Sequence, residues 1–247
     1  MGEKLIHALT VAGFDGSAGA GFISDIKTMA HFGVYGQAVC TALTQQNEEE
    51  FVAPGWVIWD RIEAQLETLF KKHKFKYVKI GLVEKARTLK RIVEFVREKS
   101  PDAFIVWDPI ASASAGFHFM RDAEKFLPIM KSIDLVTPNQ DEFAYLGLGL
   151  AESRGQIKMG RDFAVLLKGG HARGKESIDT LWYNEEQFKF ISPRLPGKGK
   201  HGTGCVLSSA ILANVALGKD VPTACEIAKQ YMNEYLESGE GRLGFLV

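Results

Sequence analysis

Residues 201–205, with the sequence HGTGC, place two glycines and a cysteine directly before an apolar run of helical length. Glycines at the start of a helix let successive N–H groups converge on one point, which also carries partial positive charge from the helix dipole. Preorganised donors of this kind stabilise the negative charge that develops on a phosphoryl group. We therefore predict an anion hole formed by Gly202, Thr203 and Gly204.

Cys205 falls in the first turn of the same helix. A free thiol has a pKa of about 8.5 and a helix N-terminus lowers it, so this residue is predicted to accept a proton from a substrate hydroxyl. The alternative is an inert buried cysteine, the usual state of the residue type and our interpretation of Cys40 and Cys225. Three cysteines without a C-x-x-C spacing predict neither a disulfide framework nor a zinc site, and they fit a reducing compartment.

A second glycine-rich segment, GFDGSAGAG at residues 13–21, follows the first apolar run and precedes a helical pattern. Four glycines exceed what a short turn needs, so the segment is predicted to let the backbone approach a ligand closely. Asp15 and Asp25 are placed to hydrogen-bond a polar substrate, with helix capping or solvation as the alternatives. No Gly-Lys-Ser/Thr follows, so the segment is not a P-loop.

Three charged residues stand where apolar runs end: Asp108 in VWDPI, Glu142 in TPNQDE and Lys168 in VLLKGG. Carboxylates at such an edge suit Mg²⁺ and its phosphate ligands rather than zinc. Lys168 is predicted to point toward the same ligand. The alternatives are a turn cap for Asp108, a solvated helix residue for Glu142 and a surface lysine lying along apolar neighbours for Lys168.

These residues need elements that bring them to one edge, and the sequence alternates short apolar runs with longer segments of helical period. That alternation is typical of βα units around a parallel sheet whose strands are buried on both faces. We predict strands at residues 7–12, 37–43, 77–80, 104–107, 135–137 and 163–168. We predict helices at residues 21–31, 60–73, 85–98, 122–130, 203–217 and 222–237.

The last third of the chain departs from this alternation. Two apolar runs split by Asn184 and Glu185 predict an antiparallel hairpin near residues 177–191. The polar segment at residues 146–161 is predicted to be an exposed loop. No internal repeat or Pro/Ser-rich linker interrupts the chain, so residues 1–247 are predicted to form one domain.

Composition excludes several classes of protein. The 30 basic and 30 acidic residues give a formal net charge of zero, and 46% of the residues are hydrophobic, which argues against a disordered chain and against a nucleic-acid binder. There is no run of 18 apolar residues and no secretory signal pattern at the start. We therefore expect no membrane partner and a cytoplasmic location.

Taken together, the motifs resemble the hydroxymethylpyrimidine/phosphomethylpyrimidine kinases of thiamine biosynthesis, within the ribokinase-like superfamily. The resemblance rests on the order and spacing of ALTVAGFDGSAGAGFISDIKT, GVYGQAVCTALTQQN, KIGL, DP, TPNQDE, LLKGGH and HGTGC. It implies a ribokinase-like α/β fold, with a mostly parallel sheet and helices on both faces. It also implies a phosphotransferase that uses ATP and Mg²⁺ to phosphorylate 4-amino-5-hydroxymethyl-2-methylpyrimidine and its monophosphate.

The resemblance also implies roles for individual residues, by their position in the family's motifs. Those that would surround the pyrimidine are Gly13, Ala20, Asp25, Gln46 and Leu82, with Gln46 hydrogen-bonding the ring. Those near the ATP phosphates are Asn139, Glu142 and Lys168, and Asp108 with Glu142 matches the Mg²⁺ region. Cys205 stands where sugar-kinase relatives have an aspartate base. Homodimers are common among such relatives, which makes a second copy of the chain a candidate partner.

Two other functions stay open at this stage. A pyridoxal kinase of the same superfamily shares much of the pattern, although Gln46 favours an aminopyrimidine. A catalytically silent relative that binds a pyrimidine or a nucleotide would explain the departures from the family pattern, such as IASASAGFHF after the DP motif. The presence of Asp108, Glu142, Lys168 and Cys205 together argues against a silent protein.

Overall fold

The computed structural model describes residues 5–111, 122–170, 174–195, 199–239 and 241–246. In this part of the chain the strands form one nine-stranded sheet. In chain order they are β1 (His7–Phe14), β2 (Tyr35–Gln46), β3 (Phe51–Trp56), β4 (Tyr77–Ile80), β5 (Phe104–Trp107), β6 (Leu135–Val136), β7 (Ala164–Leu167), β8 (Glu176–Tyr183) and β9 (Glu186–Pro193). The spatial order is β3-β2-β1-β4-β5-β6-β7-β8-β9.

The centre of the sheet is parallel and its edges are antiparallel. Strands β2, β1, β4, β5, β6 and β7 pair in parallel, whereas β3 at one edge and β8 and β9 at the other pair antiparallel. The carboxyl ends of the six parallel strands therefore meet at a single edge, where ligands bind in open α/β sheets. The predicted mostly parallel α/β sheet is confirmed.

Helices cover both faces of the sheet, because alternate strand residues point to opposite sides. The helices are α1 (Gly21–His31), α2 (Trp59–Phe70), α3 (Ala86–Lys99), α4 (Leu127–Met130), α5 (Gln140–Tyr145), α6 (Leu148–Ser153), α7 (Thr203–Ala216) and α8 (Val221–Glu237). Ile105 and Trp107 pack on the face covered by α2 and α3, and Val106 packs on the face covered by α1, α7 and α8.

Helix α7 lies inside the protein rather than on its surface. Eleven of its 14 residues are buried, and it packs against α1, α8 and the sheet. A helix that is apolar all round belongs to a core, so its first turn is held firmly in place. None of the helices in the described ranges is long and apolar enough to cross a membrane.

The antiparallel hairpin predicted near residues 177–191 is confirmed, as β8 and β9. Its two-residue turn places Asn184 at φ 51° and Glu185 at φ 65°. Positive φ at both positions is what a type I′ hairpin turn requires, and asparagine tolerates it better than most residues.

Two predictions of local structure are wrong, and one strand was missed. Residues 146–161 are not an exposed loop, because they contain α6 and bury Leu148 and Ile157 in the core. The predicted helix at 122–130 is only a 3₁₀ turn, Ala123–Lys125, followed by the four-residue α4 with Pro128 near its start. Strand β3 was not predicted, since its half-exposed sequence contains Pro54, which sheets accept at an edge. Most of the unusual segment after the DP motif lies outside the described residues.

Candidate active site

A cavity of about 680 Å³ opens at the carboxyl edge of the sheet. All of the residues proposed from the sequence for catalysis or binding line it, except Asp15 and Asp25. The lining residues are Gly13, Ala20, Gln46, Leu82, Asp108, Asn139, Glu142, Lys168, Gly202, Thr203, Gly204 and Cys205. They come from the carboxyl ends of six strands and from the start of α7, so the fold has gathered groups that are far apart in sequence.

The start of α7 forms one wall of this cavity. Thr203 is its first residue and Gly202 precedes it with φ 73°, a conformation that favours glycine. A Cβ built on Gly204 would lie 3.2 Å from both Asp108 Oδ2 and Lys168 Nζ. The first turn of the helix thus faces the Lys168–Asp108 pair directly, and its free N–H groups add positive potential there.

Lys168 contacts both carboxylates of the cavity wall. Its Nζ lies 2.7 Å from Asp108 Oδ1 and 3.7 Å from Glu142 Oε2, and its side chain is 13% exposed. Burial acts to lower the pKa of Lys168, but the charges of Asp108 and Glu142 outweigh it and raise the pKa above its usual value. Lys168 is therefore a fixed positive charge at the cavity surface across the physiological pH range.

Asn139 and Glu142 define the start of α5 through a capping box. Asn139 Oδ1 accepts from the Glu142 N–H at 2.8 Å, and Glu142 Oε2 accepts from the Asn139 N–H at 2.7 Å. Burial raises the pKa of Glu142, with the charge of Lys168 opposing this shift and that of Asp108 adding to it. The capping box fixes the position of Glu142 beside Lys168, so the pair Asn139 and Glu142 serves both the helix and the site.

Asp15 does not line the cavity, although a substrate contact was predicted. It is fully buried, and its carboxylate accepts from His201 Nε2 at 2.8 Å and from the N–H groups of Ser17 and Ala20 at 2.9 Å each. Burial acts to raise the pKa of Asp15, but these hydrogen bonds, led by that from His201, lower it below its usual value. Asp15 thus joins the glycine segment of residues 13–21 to the loop before α7.

The two loops are also packed together through glycines. A Cβ on Gly19 would lie 2.7 Å from the ring of His201 and 2.8 Å from Leu243, and a Cβ on Gly202 would collide with the carbonyl oxygen of Gly19. A side chain at Gly202 would force the two backbone segments apart, and one at Gly19 would displace the His201 ring and the Leu243 side chain. The glycines are therefore required for the approach of the two loops.

Asp25 belongs to a second buried network beneath the cavity. It accepts from Thr10 Oγ1 at 2.5 Å, from Lys79 Nζ at 2.7 Å and from Ser209 Oγ at 2.8 Å, and both Asp25 and Lys79 are fully buried. Burial acts to lower the pKa of Lys79, but the charges of Asp25, Cys205 and Asp108 raise it overall. The network ties β1 and β4 to α1 and α7 and leaves the Asp25 side chain out of the cavity.

Cys205 lines the cavity as predicted, but the expected low pKa of its thiol is wrong. The side chain is 5% exposed, and burial raises its pKa to about 11, with Lys79 opposing the shift and Asp25 adding to it. Loss of water around the thiolate thus outweighs the favourable position at the helix start. At neutral pH the group is a thiol, which weakens its case as a free base.

The opposite end of the cavity is formed by β2 and the turn that follows it. Gln46 lies at the end of β2, and Leu82 and Ala42 form a small buried apolar cluster against Phe51 and Ile110. A Cβ on Gly13 would lie 3.2 Å from Leu82. One polar side chain beside an apolar patch suits a flat heteroaromatic ring.

The sequence did not indicate the part of the cavity that lies against α8. Lys229 on α8 lines it, with Nζ 3.0 Å from Asp179 Oδ2 and 2.9 Å from Ser177 Oγ, and Leu207, Met232 and Leu236 supply apolar lining. Met232 and Leu236 have ordinary amphipathic spacing, which reads as core in a sequence. In the sequence, Lys229 within this amphipathic helix is the signal that could have indicated this part of the cavity.

No group of three or more histidine, cysteine or acidic side chains that could hold a metal occurs among the described residues. Asp108 and Glu142 do lie on one wall, both against Lys168. Mg²⁺ is often bound through one or two carboxylates, with water and substrate phosphates completing its shell. Asp108 and Glu142 therefore suit a Mg²⁺ ion that is bound together with substrate phosphates. They do not suit a Mg²⁺ ion that is held by protein ligands alone.

The sequence profile of the phosphomethylpyrimidine kinase family matches residues 15–244. The chain belongs to this family. The hydroxymethylpyrimidine/phosphomethylpyrimidine kinase of Aquifex aeolicus is 35% identical over 244 residues, which cover 94% of this chain and 95% of the relative. The resemblance inferred from the sequence motifs is thereby confirmed.

Solved structures support the fold and widen the range of related activities. The Staphylococcus aureus pyridoxal kinase in complex with AMP-PCP and pyridoxal has a TM-score of 0.81 at 25% identity, over 98% of this chain and 92% of that one. The phosphomethylpyrimidine kinase of Clostridium difficile 630 has a TM-score of 0.74 at 29% identity, over 93% of this chain and 98% of that one.

Proposed function

We propose that this protein transfers the γ-phosphoryl group of ATP to the hydroxymethyl group of 4-amino-5-hydroxymethyl-2-methylpyrimidine, and then transfers a second one to the monophosphate. The observation that supports this most is the cavity wall on which the start of α7, Lys168 and two carboxylates face one another. Family membership supplies the acceptor. The reaction belongs to the synthesis of thiamine.

The phosphate end of the cavity provides charge rather than covalent chemistry. Phosphoryl transfer passes through a loose transition state whose charge spreads over the equatorial oxygens, so positioning and positive potential supply most of the rate. Lys168 and the N–H groups of residues 202–205 provide that potential without reorganisation. Mg²⁺, held by Asp108, Glu142 and phosphate oxygens, would neutralise further negative charge when bound.

The acceptor end orients the pyrimidine. Gln46 has both a donor and an acceptor in its amide, which matches the ring nitrogen and exocyclic amine of an aminopyrimidine. Leu82 and the bare backbone at Gly13 leave room for a flat ring. The end of the cavity against Leu207, Met232 and Leu236 provides an apolar surface for the adenine ring of ATP.

Cys205 lies between these two ends, at the start of α7. Because its thiol is protonated at neutral pH, we propose that the thiol positions the hydroxyl oxygen and that only the minor thiolate form accepts the hydroxyl proton. A loose transition state places little demand on a base. The monophosphate is already ionised and needs none, so Cys205 matters more for the alcohol than for the second acceptor.

The test is an ATP-consumption assay with hydroxymethylpyrimidine, its monophosphate and pyridoxal measured in parallel, with and without Mg²⁺. We expect turnover of both pyrimidines, and loss of it when a chelator removes Mg²⁺. Lys125→Met is the matched control for the cavity variant Lys168→Met, because Lys125 is an exposed lysine paired with Asp122 on the surface. No turnover with any of the three acceptors would overturn the assignment.

A pyridoxal kinase is the second candidate, and one observation favours it: the pyridoxal kinase fold superposes with the higher TM-score, 0.81 against 0.74. Sequence identity runs the other way, at 25% against 29%. The same assay separates the two, since Gln46→Leu should impair a pyrimidine kinase more than a pyridoxal kinase. We also propose a cytoplasmic location, which the three free cysteines support because they suit a reducing compartment.

A further inference from the structure

Lys200 lies two residues before Gly202, the residue that precedes α7. Its ammonium group is surrounded by backbone carbonyls. Its Nζ lies 2.8 Å from the carbonyl oxygen of Gly241, 3.1 Å from that of Leu243 and 3.3 Å from that of Gly239. The residue is 8% exposed. Each of the three N–H donors of the ammonium thus has one acceptor.

The positive charge of Lys200 is balanced by dipoles and by no carboxylate in the part of the chain that the structure describes. Other buried lysines differ: Lys79 is paired with Asp25, and Lys229 with Asp179. Three convergent carbonyl oxygens form an acceptor set for a cation, as the carbonyl rings of ion channels do. Gly239 and Gly241, both at φ 63°, turn the chain so that these oxygens converge.

This contact fixes the C-terminal segment against the loop that precedes α7. The neighbouring His201 donates its backbone N–H to the carbonyl oxygen of Arg242 at 2.7 Å, and its ring bonds Asp15. Lys200, His201 and Gly202 all line the cavity. The loop that ends in Gly202 is therefore held from one side by Asp15 and from the other by Gly239 and residues 241–243.

We propose that Lys200 is a positioning residue: its ammonium gathers the carbonyls of Gly239, Gly241 and Leu243 and thereby holds Gly202 and the start of α7 in register with Lys168. The effect on catalysis rests on the proposed kinase function. The cation site among the three carbonyls does not rest on that function, because it is a property of the folded chain alone.

Lys200→Ala tests the cation site directly. Alanine ends at Cβ, so it leaves the ammonium position and the space of the stem beside it empty between three carbonyl oxygens. Ammonium chloride should then bind there and raise the unfolding temperature of the variant, in proportion to ln(1 + [L]/Kd), and should not do so for the wild type. Tetramethylammonium chloride at equal ionic strength has no N–H donors and should have no such effect. Equal responses of variant and wild type to ammonium would overturn the site.

The catalytic consequence is tested with the same variant. We expect kcat for hydroxymethylpyrimidine to fall by about 10- to 100-fold, because small displacements of positioning groups have effects of this size, with KM for the pyrimidine little changed. Ammonium should restore part of kcat, which loss of an ordinary structural contact would not allow. Lys131→Ala is the matched control, since the exposed Lys131 donates to one backbone carbonyl, that of Gln156.

The outcomes separate this inference from the proposed function. If the wild type phosphorylates no acceptor, the proposed function fails, while the unfolding measurements still test the cation site. If the wild type is active and Lys200→Ala has the same kcat, or loses kcat without recovery in ammonium, the positioning role is overturned.

Discussion

Two lysine–aspartate pairs lie at the carboxyl edge of the sheet with the same N–O distance, 2.7 Å, and different surroundings. Lys79 and Asp25 are both fully buried, and further hydrogen bonds from Thr10 and Ser209 occupy the carboxylate. Lys168 and Asp108 lie on the cavity wall, next to Glu142 and the start of α7. An ion pair alone therefore does not identify a catalytic group.

The difference between the two pairs lies in what remains available to a ligand. The buried pair is satisfied internally, so its charges act on the fold and only at a distance on Cys205. The cavity pair keeps an exposed face, so its lysine can exchange a carboxylate for a phosphate. We expect variants of the first to change stability and variants of the second to change rate.

Lys79→Met should have the largest effect and should destabilise the fold. Removing one partner of a buried pair leaves an uncompensated charge, which costs about 3 to 5 kcal/mol of unfolding free energy. Denaturant unfolding measures this loss. The double variant Lys79→Met with Asp25→Asn should recover a substantial part of it; a double variant no more stable than the single one would contradict the view of a self-contained pair.

Lys168→Met should lower kcat/KM for either pyrimidine by about 10²- to 10³-fold, as the loss of a preorganised charge at a transition state does. Its stability loss should be smaller than that of Lys79→Met. Asp108 then still faces cavity water and the start of α7, and Glu142, whose pKa burial already raises, can take up a proton. Steady-state kinetics with a melting curve of each variant makes the comparison. A greater loss of stability than of rate would remove the distinction between the two pairs.

Cys205→Ala should lower kcat for the alcohol by about tenfold, below the usual range for general bases because the thiol is protonated, and should affect the monophosphate less. The thiolate fraction grows as pH rises toward the pKa of about 11, so the gap between wild type and variant should widen with pH for the alcohol. Separate pH–rate profiles for the two acceptors measure this. Equal losses for both would remove any proton-accepting role.

Asp15→Asn should have the smallest effect, a loss of about 1 kcal/mol of unfolding free energy at neutral pH. The pKa of Asp15 is lower in the folded protein than its usual value of about 3.9. Its contribution is therefore present above that value and is lost as pH falls through the lower folded pKa. Unfolding titrations from neutral to strongly acid pH should show a shallower acid loss in the variant. An unchanged pH dependence would show that the carboxylate is not needed in its charged form.

The sequence was sufficient for the parallel strands, for the hairpin at one edge of the sheet and for most of the cavity wall. Continuously apolar runs marked the parallel strands, and each charged residue at the end of such a run, Asp108, Glu142 and Lys168, does line the cavity. These predictions succeeded because strand ends in a parallel sheet meet at one edge. The segment at residues 146–161 failed because its buried Leu148 and Ile157 are spread among polar residues.

Side-chain environments were harder to predict than positions. Asp15 and Asp25 were predicted to contact the substrate and instead lie buried outside the cavity, and Cys205 lines it with a raised pKa. Burial decides how each behaves, and burial depends on packing from distant elements. His201, which bonds Asp15, is 186 positions away along the chain, so the sequence around Asp15 could not indicate this contact. Lys200 gave no signal at all, because its partners are backbone carbonyls.

The interlocked glycines at Gly19 and Gly202 bear on how this family could change its substrates. A side chain at Gly202 would collide with the backbone of the other loop, and one at Gly19 would displace His201 and Leu243, so a substitution at either glycine demands a compensating change beside it. New acceptors are more easily reached through the turn after β2, residues 47–50, which lines the opposite end of the cavity and is mostly exposed. Specificity can thus change at one end of the cavity while the phosphate end keeps its shape.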